Sequence, residues 1–272
     1  KVSLTRELSE LRDEIKGYAM AYGLDFFETV FELLDYEELN AVDSYGGFPV
    51  RYPQWRFGME YDQLSKTYTY GLQKIYELVI NNNPSYAYLM KSNALVDQKL
   101  VMAHVYGHVD FFKNNYWFSK TNRKMMDTMA NHAVRIREYV DRHGIDRVET
   151  FIDRCLSIEN LIDPFLPFAP NAEKKGSILD EAKEDNIEVG RLKTIRPYLD
   201  NYINPPEFIE DQKRRMVQIE TRSKRMPSEP QKDILQFLLD HAPLEQWESD
   251  ILAMVREEAY YYAPQWQTKI LN

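Results

Sequence analysis

Between Asp97 and Asn115 the chain carries His104 and His108, four residues apart, inside a long and mostly apolar run. No other stretch narrows the possible folds so far. In a helix that spacing stacks both imidazoles on one face, one turn apart, within reach of a single metal ion. Apolar residues on nearly all sides predict a central buried helix, which Ser92 or Asn93 can cap and which runs to about Asn115. A histidine is polar and titrates near neutrality, so two in one buried helix require hydrogen-bonding partners or a metal. The order His-x-x-x-His is that of a zinc-peptidase helix, yet the glutamate such enzymes carry after the first histidine is Val105 here. The spacing therefore predicts His104 and His108 as ligands of a divalent metal, zinc being one option, with the general base missing from its usual place. Asp97 falls on the same side as Val101, His104, His108 and Phe111, where it would orient an imidazole through its second ring nitrogen. The alternative stays open: two core histidines bonded to Asp97, Asp110 or backbone carbonyls.

Around this helix the periodicity is largely helical. Leu4, Leu8, Leu11, Ile15 and Tyr18 or Ala19 predict an amphipathic helix over 3–23 that stops at Gly23. A second apolar-periodic stretch runs from Asp25 to about Leu39. Residues 43–58 are dense in Gly, Pro and aromatics, too punctuated for a helix and too apolar for a solvated linker, and read as an ordered loop packed on the core. Residues 62–74 look helical. Asn81-Asn82-Asn83-Pro84 then separates Ile75–Ile80 from Ser85–Met90 as the turn of a β-hairpin would. Thr121 opens a helix ending at His143-Gly144, and Asp146 caps another that stops at Asp163-Pro164. From Pro167 to about Asp233 charged residues and Pro dominate, as in a linker or loosely packed arm. Apolar order resumes at Ile234–Leu239, with a last helix from Pro243 to about Tyr262.

The reading is a mainly α fold of the α+β class, a helical domain around a central buried helix with a small antiparallel β-hairpin, and a zincin-like arrangement as one option. It divides into a helical core over 1–165, a polar arm or linker over 166–233, and C-terminal helices over 234–272 packing on the core. Hydrophobic residues at 44% suffice for a substantial core. A net charge of −9 argues against extensive contact with nucleic acid. The single cysteine, Cys155, excludes an internal disulfide framework and points to a reducing, cytoplasmic compartment. No run reaches the ~18 apolar residues of a membrane span. The sequence also has no Walker, Rossmann or nucleophile-elbow pattern.

Further polar groups sit on apolar faces: Glu159 among Val148, Phe151, Ile152 and Cys155, His132 beside Met125, Met129 and Ile136, and Glu258 near Ile251 and Val255. Each is a candidate to join a site centred on the histidine pair, or a hydrogen-bonded residue at the edge of the core. Cys155 reads as a small core residue. The aromatic segment 45–61 can stack on sugar rings or a partner, or simply pack. The Lys213-Arg214-Arg215 and Arg222–Arg225 clusters read as solvated faces.

Three segments, Tyr52-Pro53-Gln54-Trp55-Arg56-Phe57-Gly58, Lys74-Ile75-Tyr76-Glu77-Leu78-Val79-Ile80-Asn81 and Ala103-His104-Val105-Tyr106-Gly107-His108-Val109-Asp110-Phe111-Phe112-Lys113-Asn114-Asn115, closely resemble the stage V sporulation protein R (SpoVR) family. The closing Tyr262-Ala263-Pro264-Gln265-Trp266-Gln267-Thr268-Lys269-Ile270-Leu271-Asn272 is similar to it as well. The resemblance implies a role in building the spore's peptidoglycan cortex, although relatives also occur in bacteria that make no spores. It further implies an acidic-Gly-Trp segment and another histidine after the position of Asn272, where part of a site would lie. It supplies no reaction. One functional expectation is a cytoplasmic sporulation protein whose metal, held by His104 and His108 with Asp97 behind them, gives hydrolase-like chemistry. The other is a non-enzymatic adaptor that recruits protein partners in cell-envelope or cortex assembly.

Overall fold

The structure, a computed structural model, describes residues 4–69, 77–169, 204–211, 214–215 and 232–268. The chain forms two compact units, Lys1–Pro164 with Leu235–Asn272, and Phe165–Ile234. Much of the expected polar arm over 166–233 lies outside the described residues. In the second unit these include a single 3-10 turn at Leu166–Phe168 and helical residues 206–211.

The first unit opens with α1 (Arg6–Ala21), whose Thr5 hydroxyl accepts the Leu8 N–H at the N-cap. Its end is a Schellman motif: Leu24 N–H reaches Ala19 O, Gly23 N–H reaches Met20 O, and Gly23 takes φ +88°. The stop expected at Gly23 is therefore a backbone requirement. The apolar stretch from Asp25 then divides. Thr29–Leu34 is strand β1 and Tyr36–Ser44 is α2, separated by Asp35 in a reciprocal capping box with Glu38.

Strands β2 (Glu77–Ile80) and β3 (Ser85–Met90) pair antiparallel around the Asn81–Pro84 turn, as expected for a hairpin. The sequence reading had no place for β1, which pairs in parallel with β3 and makes a three-stranded mixed sheet of order β1-β3-β2. That parallel pairing needs a long crossover. The crossover contains α2, the aromatic loop, α3 (Trp55–Thr69) and β2. Helix α3 begins inside the expected loop, because Glu149 and Gln54 accept the Trp55 and Arg56 N–H groups. The Glu149 contact spans 94 positions, so no local pattern announces it.

Helix α4 (Leu95–Asn114) carries the histidines and packs against α1 and the sheet. It buries Gln98, Val101, Met102, Val105, Tyr106, Val109 and Phe112 in a core shared with Leu11, Ile15, Leu33 and Leu89. The rest of α4 faces outward: Val96 is 67% exposed and Leu100 66%. This corrects the expectation of a helix buried on nearly all sides, since apolar residues on α4 occupy an open face as well as a buried one.

Helices α5 (Met125–His143), α6 (Ile145–Ser157), α7 (Ile234–His241) and α8 (Gln246–Thr268) build a second core from Ile136, Val148, Ile152, Leu235, Ile251 and Val255. Cys155 is buried in it, as read, and loss of water pushes its thiol pKa up to about 12. Helix α6 stops six residues before the expected end, where Ser157 Oγ donates to the Arg154 carbonyl at 2.7 Å and competes with the helical ladder. No helix among the described residues is long and apolar enough to cross a membrane.

Candidate functional site

His104 and His108 stand side by side on α4 with ring centroids 4.5 Å apart at an interplanar angle of 61°. The spacing argument for one shared face thus describes them correctly, but the face is the open one: His104 is exposed and His108 half-buried. Asp97, seven residues earlier, lies about 10 Å away along the axis at the helical rise. It makes no hydrogen bond to either imidazole among the described residues. There, no group of three or more His, Cys, Asp or Glu is placed to hold a metal ion.

A denser polar arrangement lies between the aromatic loop, α5 and α8. His132 on α5 and Glu258 on α8 meet with Nδ1 and Oε1 3.0 Å apart, both side chains almost fully buried. The other Glu258 oxygen, Oε2, accepts from Arg51 at 2.7 Å and from the Tyr52 hydroxyl at 3.5 Å. Arg51 also donates to Met129 Sδ at 2.9 Å and lies 5.1 Å from the ring centres of Tyr52 and Phe57. His132 Nε2 faces Glu257 at 3.4 Å, and Glu257 in turn accepts from Asn122 at 3.1 Å. The loop, the middle of α5 and two adjacent residues of α8 thus share one network.

Its electrostatics follow from burial. Removing a lone charge from water is costly, so each buried charge needs an opposite partner and further hydrogen bonds. Burial alone would lower the Arg51 pKa; the adjacent Glu258 charge reverses this and holds the guanidinium charged. His132 follows the same logic: burial lowers its pKa, the bonds to Glu257 and Glu258 raise it, and the net direction is up. Glu257 is held below its usual range, first by the bond from His132. Burial pushes the Tyr262 pKa to about 12, and raises those of Tyr52, Glu159 and Asp43. Perturbed groups therefore gather in this part of the molecule, a pattern typical of functional sites.

Above the network opens a pocket of about 440 Å³, lined by Ala41, Ser44, Tyr45, Arg51, Tyr52, Pro53, Gln54, Phe57, Gly58, Tyr61 and Arg137. Arg137 donates to the Arg51 carbonyl at 3.4 Å. The Arg51 Nε is buried without a hydrogen-bond partner. The lining contains two arginines, four aromatic rings and no carboxylate. The loop on one side is held by Tyr262, whose hydroxyl donates to Gly46 O at 3.3 Å. Gly46 has φ +69°, and a Cβ there would stand 2.7 Å from the Tyr262 oxygen, so only glycine fits without strain.

Of the polar residues expected on apolar faces, His132 and Glu258 come together, and Glu159 feels the charges of Arg56, Glu258 and Arg51. They converge on Arg51 rather than on the α4 histidines. Arg51 itself was missed. A signal was present: an arginine in an aromatic, Gly- and Pro-rich segment expected to pack on the core must, if buried, place its charge against some carboxylate.

The family model described as SpoVR like protein matches residues 3–272. The uncharacterized protein YcgB of Escherichia coli (strain K12) is 35% identical over 269 residues, covering 95% of this chain and 49% of that protein. The chain thus spans about half the length of this curated relative. No solved structure matches it. The family match over nearly every residue and the homology with YcgB carry one conclusion: this chain belongs to the SpoVR-like family.

Proposed function

We propose that this chain is a sporulation-type SpoVR protein that works as a ligand-binding adaptor in cell-envelope assembly, the spore cortex in a spore former, and that an anionic, ring-bearing small molecule occupies the pocket beside Arg51. One observation carries the reading. In a chain of net charge −9 with 43 acidic residues, the pocket is walled by Arg51, Arg137 and aromatic rings, and none of its lining residues is acidic. Guanidinium groups recognise carboxylate or phosphate oxygens through paired hydrogen bonds, and aromatic faces stack on rings. The hydrolase expectation has less support. Zinc peptidases place a glutamate general base after the first histidine, whereas Val105 occupies that position here.

Thermal unfolding with added inorganic phosphate, phenyl phosphate or benzoate tests the reading, with sodium chloride at equal ionic strength as control. The ring-bearing anions should raise the melting temperature, because a ligand of the folded form stabilises it. Arg137→Ala, at an exposed position, gives up one long hydrogen bond to the Arg51 carbonyl, so it should lower the unliganded melting temperature only slightly and weaken binding at least about tenfold, or ~1.4 kcal/mol. No stabilisation by any of the three anions, or equal stabilisation of the variant, would refute the assignment.

A further inference from the structure

We infer that proton binding at the buried His132 sets how tightly the pocket holds an anion, with Glu258 passing the effect to Arg51. The inference rests on the reading of the pocket as an anion site and adds its regulation. Geometry carries it. The two oxygens of Glu258 serve two partners at once: Oε1 faces His132 Nδ1 at 3.0 Å, and Oε2 accepts from Arg51 at 2.7 Å. One carboxylate therefore stands between a ring that titrates near neutrality and a guanidinium that lines the pocket. Arg51, Glu257 and Glu258 together carry one net negative charge while the ring is neutral, and a proton on His132 cancels it. The His132, Glu258 and Arg51 side chains are only 6–7% exposed, so water screens this change weakly and it reaches the pocket wall. An anion beside Arg51 then meets a more positive site when His132 is protonated. By linkage, the anion must also strengthen proton binding at His132.

The charged neighbours come from several elements. Glu257 and Glu258 act on His132 from α8, and Arg51 and Tyr52 reach it from the loop through Glu258. Glu159, two residues beyond α6, feels the charges of Arg56, Glu258 and Arg51. On α3, Glu60 feels Asp43, Arg51 and Arg56. Farther along the contact of α5 with α8, Asp250 is engaged by Arg135 and Tyr139. Burial raises the pKa values of Asp43, Glu60 and Glu159, and any slope these carboxyl groups impose on binding is common to wild type and a His132 variant. The difference between the two isolates the imidazole.

Calorimetric titration with benzoate and with benzenesulfonate, each singly negative throughout, is run from about pH 6 to about pH 9. Dissociation constants should rise at least about threefold over that range. Binding near neutral pH should also take up protons, read from buffers of different ionisation enthalpy. His132→Gln keeps an amide donor for Glu258 and cannot gain a charge. It should hold both anions about as weakly as the wild type does at the alkaline end, with a shallower slope and less proton uptake. Burial lowers the His132 pKa, and the bonds to Glu257 and Glu258 raise it. Glu257→Gln, at a position about half exposed and with an oxygen left for Asn122, should therefore move the midpoint of the affinity change to lower pH. A wild-type slope no steeper than that of His132→Gln, undiminished proton uptake in that variant, or an unmoved midpoint in Glu257→Gln would each overturn the inference while leaving the pocket an anion site. Failure of both anions to bind at any pH would overturn the pocket reading, and this inference with it.

Discussion

The two polar centres of this chain are built in opposite ways. His104 and His108 are four residues apart on one helix and face outward. The Arg51–Glu258 pair joins residues 207 positions apart, with each side chain only 6% exposed. The first is visible as a motif and lies on the outer face of its helix. The second is invisible as a motif and holds the loop, α5 and α8 together. A residue pattern in sequence reports which side chains are close, whereas the energetic weight of a polar group depends on how completely it loses water. Substitutions at the two centres should therefore differ sharply in what they do to the fold.

The largest effect should come from Glu258→Ala. It leaves the Arg51 guanidinium and the His132 ring inside the protein without their shared carboxylate, and breaking a buried pair on one side costs about 3–5 kcal/mol. Urea denaturation gives the number directly. Replacing both partners, as in Arg51→Met/Glu258→Leu, should recover much of the loss, because no orphaned charge remains. A cost below about 1 kcal/mol for Glu258→Ala would mean that the network is wetter than its geometry indicates and would dissolve the contrast.

A smaller effect should appear in the dependence of stability on pH. The folded state raises the His132 pKa above its ordinary 6.5, so it binds that proton more tightly than the unfolded chain. This contribution is fully present below pH 6.5 and is lost as pH rises through the folded value. Glu257 is shifted the other way, below 4.5, so its contribution is present above that pH and fades as pH falls through the folded value. Both contribute fully between pH 4.5 and 6.5. Glu257 is about half exposed and its share is reduced by solvent screening, which leaves Glu258 the stronger partner of His132. Wild-type stability should therefore drop from about pH 6 to about pH 8, by less than the Glu258→Ala effect, and His132→Gln should flatten that slope. An unchanged slope in the variant would remove His132 from the pair.

The same contrast explains what could be read from the sequence. Helix ends set by local chemistry were legible: the glycines at 23 and 144, with φ of +88° and +85°, mark the ends of α1 and α5. So was the β2–β3 hairpin around its Asn-rich turn. Strand β1 was not, because its partner is β3, more than fifty residues later, and a short apolar run does not declare which partner it has. His132 and Glu258 were each visible as polar groups on apolar stripes, but their meeting depends on how α5 packs on α8. For α4 the error had the opposite origin. Val96, Leu100 and Ala103 supplied the apolar character that suggested burial, and in the structure they line the open face.

The smallest effect should therefore fall on the residues that stand out most in the sequence. His104→Ala removes an exposed ring that neighbours His108 and is not among the residues that α4 buries. Alanine also favours the helix over histidine by a few tenths of a kcal/mol. Leu100→Asp places a charge where the side chain is already 66% exposed, so it needs no desolvation. Each change should alter monomer stability in a chelator by no more than about 0.5 kcal/mol, within the range of ordinary surface substitutions and far below the cost at Glu258. Urea midpoints in chelator buffer at low protein concentration isolate this term, since neither metal nor a second copy then contributes. A loss of about 2 kcal/mol or more in either variant would show that the outer face of α4 is covered in the native protein, and the two centres would then differ only in how far apart their residues lie in the chain.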